Sequence, residues 1–252
     1  MINVALCISG EPRSSMLCYP YIAESFVFLD PQVFNVDVYI HSRKNFRALF
    51  LYDPKYYKLD NINSKNSIGD YTLSSELMND EKFYSHFSQN SSFLENQLLM
   101  LDGIVKCFAS TNPNQQKYDL YMRCRPDFIT NSKINIESIA KDILYDEKYD
   151  MVIPSKGIMK TKEANEHLSK EYNDQFAIGN YKSMVSYCNT SKNLSYLIDQ
   201  TKEFKLERWL KKQLDDDGVD VSTPYLPLAL VRGARIYSNR GFDNFDISFY
   251  DE

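Results

Sequence analysis

Short apolar runs alternate with stretches of helical periodicity along most of this 252-residue chain. The run from Asn3 to Ser9 predicts a buried first strand, and runs at 36–40 and 118–122 predict two more. Between the second and third runs, apolar side chains recur every three or four residues, which predicts an amphipathic helix lying on a sheet. The residues with this spacing are Leu94, Leu98, Leu101, Val105 and Phe108.

The same alternation continues towards the carboxyl terminus. It predicts helices at 135–144, 181–187 and 206–214, and strands at 149–154, 176–179, 227–231 and 235–237. Because alternating strands and helices are typical of the α/β class, we expect one domain over 1–252, with a mostly parallel sheet flanked by helices. Two polar stretches interrupt the pattern. We interpret 45–80 as a variable insertion and 155–172 as a loop over the ligand-binding face.

Composition and charge narrow the classes of function. Hydrophobic residues make up 43% and charged residues 25%, as in ordinary soluble globular proteins. The net charge of −5 argues against a general affinity for nucleic acid or anionic lipid. Five scattered cysteines without a CxxC pair indicate neither a disulfide framework nor a structural zinc site. With no signal peptide and no apolar run of about 20 residues, we expect a cytoplasmic protein without a transmembrane segment, in an undetermined oligomeric state.

Two arginines and an aspartate follow the third predicted strand. Pro126 has no amide hydrogen for a sheet ladder and so marks the end of that strand. Arg123, Arg125 and Asp127 would then lie near its carboxyl end, where open α/β sheets bind ligands. Guanidinium groups suit phosphate, and a carboxylate suits a hard divalent cation. This pattern favours a site for a nucleoside diphosphate, with Asp127 as the metal ligand. The alternative is a surface cluster of salt bridges.

The turn after the first predicted strand offers a second candidate site. Gly10 allows close backbone approach, the start of the next helix offers free amides, and Arg13 adds a positive charge. We expect Ser9, Gly10 and Arg13 to hold the nucleotide, although an ordinary strand-to-helix turn would look the same. His41 ends the second strand and would face the same cleft, unless it is a core histidine with its partners inside the protein.

A third candidate is the carboxylate of Asp174, which directly precedes the apolar run at 176–179. An aspartate anchored in this way can accept a proton from an attacking hydroxyl group. The alternative role for Asp174 is to cap the turn that follows it. No HExxH or GxSxG motif is present, so zinc protease and serine hydrolase functions have no support.

Taken in order, these segments resemble a family of bacterial and viral glycosyltransferases of the GT-A type. The resemblance runs from near the start of the chain to about Gly179. The segments that carry it are Val4-Ala5-Leu6-Cys7-Ile8-Ser9-Gly10-Glu11-Pro12-Arg13, Val36-Asp37-Val38-Tyr39-Ile40-His41, Tyr118-Asp119 with Arg123-Cys124-Arg125-Pro126-Asp127, and Asn173-Asp174-Gln175-Phe176-Ala177-Ile178-Gly179.

The resemblance implies a GT-A-like fold with a Rossmann-like sheet. It also implies transfer of a hexose or deoxyhexose from a nucleoside diphosphate, such as UDP, to a hydroxyl of a growing glycan. In such enzymes a short acidic motif after a central strand binds Mn²⁺ or Mg²⁺ and the donor diphosphate. Here Arg125 and Asp127 occupy that place, with Asp127 as its only acidic residue. Asp174 would be the general base if the anomeric centre inverts, or would orient a sugar if configuration is retained.

Two other classes of function share parts of this pattern. A sugar-phosphate nucleotidylyltransferase also has an α/β core and needs Mg²⁺, but its Gly-rich signature with a lysine is missing from the first turn. A non-catalytic glycan-binding protein would bind sugars without a nucleotide. For the transferase, a lipid-linked acceptor would place the protein at the periphery of a membrane.

Overall fold

The computed structural model of the chain describes residues 1–11, 14–42, 51–59, 91–130, 134–155, 172–224, 226, 228–232 and 235–238. The strands of this part are β1 (Ile2–Ser9), β2 (Phe34–Ser42), β3 (Tyr56–Leu59), β4 (Leu120–Cys124), β5 (Phe128–Thr130), β6 (Met151–Val152), β7 (Phe176–Gly179), β8 (Val221–Ser222), β9 (Leu228–Arg232) and β10 (Arg235–Ser238). The α-helices are α1 (Ser15–Ile22), α2 (Ser91–Ala109), α3 (Ile136–Leu144), α4 (Tyr181–Asn189), α5 (Leu194–Thr201) and α6 (Leu206–Asp216).

Seven of the strands form the main sheet, in the order β3-β2-β1-β4-β7-β6-β8. Neighbouring strands run parallel except where β7 lies antiparallel between β4 and β6. The carboxyl ends of the other six strands therefore meet the amino end of β7 along one border, which we call the carboxyl edge. The order of strands reverses between β1 and β4, and open α/β sheets bind their ligands in the crevice at such a reversal.

The sheet is covered on both faces, which explains the continuous apolar run in β1. Because side chains alternate along a strand, Val4, Leu6 and Ile8 enter one cluster of buried residues, with side chains from α1 and α3. Ala5 and Cys7 enter the other, with side chains from α2, α4, α5 and α6. The predicted α/β class with a mostly parallel sheet flanked by helices is confirmed.

A second sheet of three antiparallel strands, in the order β10-β9-β5, lies beyond the end of β4. Its strand β5 begins at Phe128, directly after the turn at Pro126 and Asp127. The turn is therefore held between the main sheet on one side and the small sheet on the other. No helix in the described ranges is long and apolar enough to cross a bilayer.

Most predicted elements are present, with changed limits. The predicted strand at 149–154 is only the two residues of β6, whereas β2 extends beyond its predicted ends. Sequence periodicity did not reveal β5, β8 or α5, because they are short or lack a clean apolar pattern. The edge strand β3 lies within the predicted insertion at 45–80. The rest of that insertion, apart from 51–55, and nearly all of the predicted loop at 155–172 lie outside the described residues.

A substitution at Gly10 tests how tightly the first turn packs at the carboxyl edge. Gly10 has a φ of +138°, and a Cβ there would lie 3.3 Å from Cδ of Pro126. We expect Gly10→Ala to lower the free energy of unfolding by about 3 kcal/mol, the upper end of the usual range for a strained backbone. Urea denaturation measures this change.

Gly218 provides the matched control for this substitution. Its φ is +66°, and a Cβ there would meet nothing within 4 Å, so Gly218→Ala carries only the left-handed backbone cost of about 1–2 kcal/mol. A Gly10→Ala variant that is no less stable than Gly218→Ala would contradict the close packing of Gly10 on Pro126.

Candidate functional site

The turn after β4 is anchored to both of its neighbours at the carboxyl edge. The backbone amide of Arg125 donates to the carbonyl of Gln175, at 3.1 Å, just before β7. The ring of Pro126 packs against Gly10 at the end of β1. Asp127 then follows at the start of the small sheet, with no exposed surface. The turn is thus fixed in place by its backbone and by the proline ring.

Arg125 and Asp127 form a bidentate ion pair within this turn. Nε of Arg125 donates to Oδ1 of Asp127 at 2.8 Å, and Nη2 donates to Oδ2 at 3.0 Å. Parallel hydrogen bonds of this kind are among the strongest between charged groups. Burial alone would lower the pKa of Arg125, but the hydrogen bond and charge of Asp127 raise that pKa above its ordinary value, with help from Asp174 and Glu11. Arg125 therefore stays charged in the pair.

The remaining guanidinium nitrogen of Arg125 faces a second carboxylate. Its Nη1 lies 3.0 Å from Sδ of Met100, a weak acceptor, and 3.8 Å from Oδ2 of Asp174. The side chain of Asn173 accepts from the amide of Gln175, at 2.9 Å, so Asn173 and not Asp174 makes the capping contact in this turn. Asp174 is thus left facing Arg125 at the carboxyl edge.

Helix α2 covers the end of β1 and β2. At Gly103 in this helix, a Cβ would lie 3.5 Å from Nδ1 of His41 and 3.9 Å from Cβ of Ser9, so the backbone of α2 passes close to both residues. Only 1% of Ser9 and 2% of His41 are exposed, so both are covered by the helix. Arg13 lies outside the described residues.

The structure brings together only part of the predicted set. The guanidinium of Arg125 lies within 4 Å of both Asp127 and Asp174 at the carboxyl edge. Arg123 lies within β4, two residues before Arg125, and is 1% exposed. Two residues that interact with Arg125, Glu11 and Met100, were not among the predicted site residues. Glu11 stands in the recognised turn after β1, but nothing in the sequence pairs it with Arg125, and only the fold reveals Met100.

The described residues do not form a donor set for a divalent cation. Both carboxylate oxygens of Asp127 accept hydrogen bonds from Arg125, and the positive charge of that guanidinium opposes a cation at the same carboxylate. Within the described ranges, no group of three or more histidine, cysteine or acidic residues is placed to hold a metal. The metal-ligand role of Asp127 therefore stays a prediction.

Comparison with known proteins gives a likeness of fold and no family. No protein-family model matches the chain. A search of curated proteins also finds no match. Among solved structures, core-mannan synthase A (CmsA/Ktr4) from Aspergillus fumigatus in an Mn/GDP form is 13% identical, with a TM-score of 0.48 over 90% of this chain and 73% of that one. The mannosyltransferase Ktr4p from S. cerevisiae is 12% identical, with a TM-score of 0.49 over 90% and 69%. Likeness at this level identifies neither a substrate nor a reaction.

A double-mutant cycle tests the buried pair between Arg125 and Asp127. Each single change, Arg125→Gln or Asp127→Asn, leaves the other charge buried without its partner, so we expect each to lower the free energy of unfolding by about 3–5 kcal/mol. The double variant should lose clearly less than the sum of the two, as measured by urea denaturation.

The exposed pair of Asp199 with Lys202 serves as the control for this cycle. Solvent screens that pair, so Asp199→Asn and Lys202→Gln should show no measurable coupling. Additive losses at Arg125 and Asp127 would show that the two side chains do not depend on each other.

Proposed function

We propose that this chain is a glycosyltransferase that moves a sugar from a nucleoside-diphosphate sugar to a hydroxyl group of a glycan acceptor. The observation that supports this proposal best is the meeting of Arg125, Asp127 and Asp174 at the carboxyl edge, beside the reversal of strand order. A crevice of this kind is where α/β sheets bind nucleotides. The chain brings to it both a cation for phosphate and a carboxylate for proton transfer.

The donor would bind across the ends of β1 and β4. In this arrangement Gly10 and the start of α1 lie beside the nucleotide, where backbone amides at a helix start favour an anion. Arg125 would face the diphosphate through Nη1, the part of its guanidinium that Asp127 leaves without a strong acceptor. Ser9, His41 and Arg13 remain proposed nucleotide-binding residues, although α2 covers the first two.

Asp174 is the proposed catalytic residue. For inversion at the anomeric carbon, its carboxylate would take the proton from the acceptor hydroxyl while that oxygen bonds to the anomeric carbon. The bond between that carbon and the diphosphate oxygen breaks in the same step. For retention, Asp174 would instead orient the donor or the acceptor sugar. In both cases, the 3.8 Å separation from Nη1 of Arg125 keeps the carboxylate next to a fixed positive charge.

A divalent metal such as Mn²⁺ or Mg²⁺ would neutralise charge on the departing diphosphate. The described residues provide no group of three or more ligands for such an ion, and the charge of Arg125 beside Asp127 opposes its binding. Release of nucleotide on transfer, without pyrophosphate, distinguishes this reaction from nucleotidyl transfer. Binding of sugars without any nucleotide would instead indicate a glycan-binding protein.

Thermal unfolding in the presence of nucleotides tests the donor site. We expect one of UDP, GDP, CMP or dTDP, with Mn²⁺ present, to raise the unfolding midpoint, because a ligand at a hundred times its Kd adds roughly 2.7 kcal/mol to the free energy of unfolding. The corresponding nucleoside without phosphate is the control. If no nucleotide raises the midpoint, the chain has no donor site of this kind.

Substitution of Asp174 tests the chemical step, with the donor found above and a panel of glycan acceptors. If Asp174 is the general base, Asp174→Ala and Asp174→Asn should each lower kcat by about 10²–10⁴, while the nucleotide still raises the unfolding midpoint. Asp199→Ala, at an exposed aspartate of α5, should leave kcat unchanged. Full activity in Asp174→Asn would rule out proton transfer by this residue.

A further inference from the structure

Arg123 is a buried cation for which the described part of the chain provides no hydrogen-bond acceptor. It lies on β4 between Cys7 of β1 and Ala177 of β7, and only 1% of it is exposed. None of its three guanidinium nitrogens has a hydrogen-bond partner among the described residues. Arg125, two residues further on, instead has both a bidentate carboxylate and a second carboxylate nearby.

A guanidinium group in this position requires a partner from elsewhere. A guanidinium has five N–H donors and no acceptor, so a buried one depends on acceptors that other groups supply. The loss of hydration for an isolated buried ion exceeds most single interactions that stabilise a protein. An unsatisfied group of this kind in a native structure indicates water, an ion or a ligand that completes it.

The cysteines around Arg123 do not supply a negative charge. Burial raises the pKa of Cys107 and of Cys188 well above the usual value for a thiol, and the attraction of Arg123 opposes this only in part. Both thiols therefore stay protonated at neutral pH. Sγ of Cys107 already donates to the carbonyls of Ile8 and Tyr39, at 3.7 and 3.4 Å.

Two further polar groups in the buried cluster on this face of the sheet are able to donate. Ser9 lies two residues beyond Cys7 on β1, and its buried Oγ has no hydrogen-bond partner in the described ranges. The same is true of Oη of Tyr187 on α4. Burial raises the pKa of Tyr187. The charge of Arg123 acts in the opposite direction, but the charges of Asp174 and Glu207 add to the effect of burial, so the phenol keeps its proton.

The guanidinium of Arg123, whose three nitrogens have no acceptor among the described residues, defines the chemistry of the missing partner. An anion with several acceptor oxygens suits it best, because one guanidinium can donate five hydrogen bonds and carries a charge that water leaves uncompensated. A phosphate group satisfies this requirement with both its charge and its geometry. Arg125 needs such an anion less than Arg123 does, because Asp127 already compensates the charge of Arg125.

We infer that Arg123 binds a phosphate group beneath the carboxyl edge, with Ser9 and Tyr187 as additional donors. This inference rests on the proposed function, since the diphosphate of a nucleotide-sugar donor would supply the group. The two arginines after the third predicted strand then have different tasks. Arg125 positions the turn through Asp127 and faces the diphosphate with Nη1 alone, whereas Arg123 provides the buried charge that the donor compensates. Because Arg123 is almost fully covered, the anion reaches it only when the side chains above it shift.

The wild-type protein gives the first test, by thermal unfolding in EDTA at an ionic strength held constant with NaCl. The probes are inorganic phosphate, pyrophosphate, UDP and GDP, with uridine and guanosine as controls without phosphate. We expect pyrophosphate or a nucleoside diphosphate, at ten times its Kd, to raise the unfolding midpoint by roughly 3–6 °C. The nucleosides and chloride should leave the midpoint unchanged.

Arg123→Met gives the second test, because methionine retains much of the arginine stem without the charge. In NaCl this variant should unfold at the same temperature as the wild type or higher, since a buried charge without a partner has been removed. The apparent Kd of this variant for pyrophosphate should be at least tenfold higher than that of the wild type. The control variant is Arg208→Met, at a half-buried arginine paired with Glu203, and it should keep the wild-type response. Comparison with this variant corrects for the general stabilisation of proteins by phosphate salts.

The possible outcomes separate this inference from the proposed function. No response of the wild type to any phosphate compound overturns the inference, because water would then complete Arg123. Equal responses of wild type and Arg123→Met overturn it too, while a nucleotide response leaves the transferase proposal intact. A response to pyrophosphate that is lost in Arg123→Met supports the phosphate site. If no nucleotide binds in that case, even with Mn²⁺, the phosphate comes from another source and the transferase proposal loses its donor site.

Discussion

Strand β1 is hydrogen-bonded on both sides and covered on both faces, and the rest of the structure depends on this constraint. Its register with β2 and β4 places Ser9 beside His41 and Cys7 beside Arg123. The parallel pairing brings the ends of these strands to the same border of the sheet. A shift of one residue in β1 would exchange its two apolar faces, so burial on both sides fixes the position of every residue at the carboxyl edge.

The charges at this edge are compensated unevenly. Arg125 has two carboxylates within 4 Å of its guanidinium, whereas the described part of the chain supplies no hydrogen-bond acceptor for Arg123. The first arrangement holds a turn in one geometry without a ligand. The second leaves a buried charge whose free energy falls when an anion arrives. Together they give the edge a rigid part, which fixes Asp174 opposite Arg125, and a part whose stability depends on what is bound.

Close packing of backbone against side chains is the other requirement of the site. Gly10 lets the ring of Pro126 approach the end of β1, and Gly103 lets helix α2 pass close to His41 and Ser9. The first contact joins the turn after β4 to the end of β1, and the second joins the ends of β1 and β2 to helix α2.

Local patterns in the sequence determined the α/β class, because apolar runs and three-and-four spacing report directly on strands and helices covered by a core. They also placed Arg125, Asp127 and Asp174 at the borders of strands, since Pro126 and the run at 176–179 mark those borders. Only the tertiary structure decided which side chains meet. The pairing of Arg125 with Asp127, the burial of Arg123 and the cover of α2 over His41 all depend on strand register and helix packing, which join residues far apart in the chain.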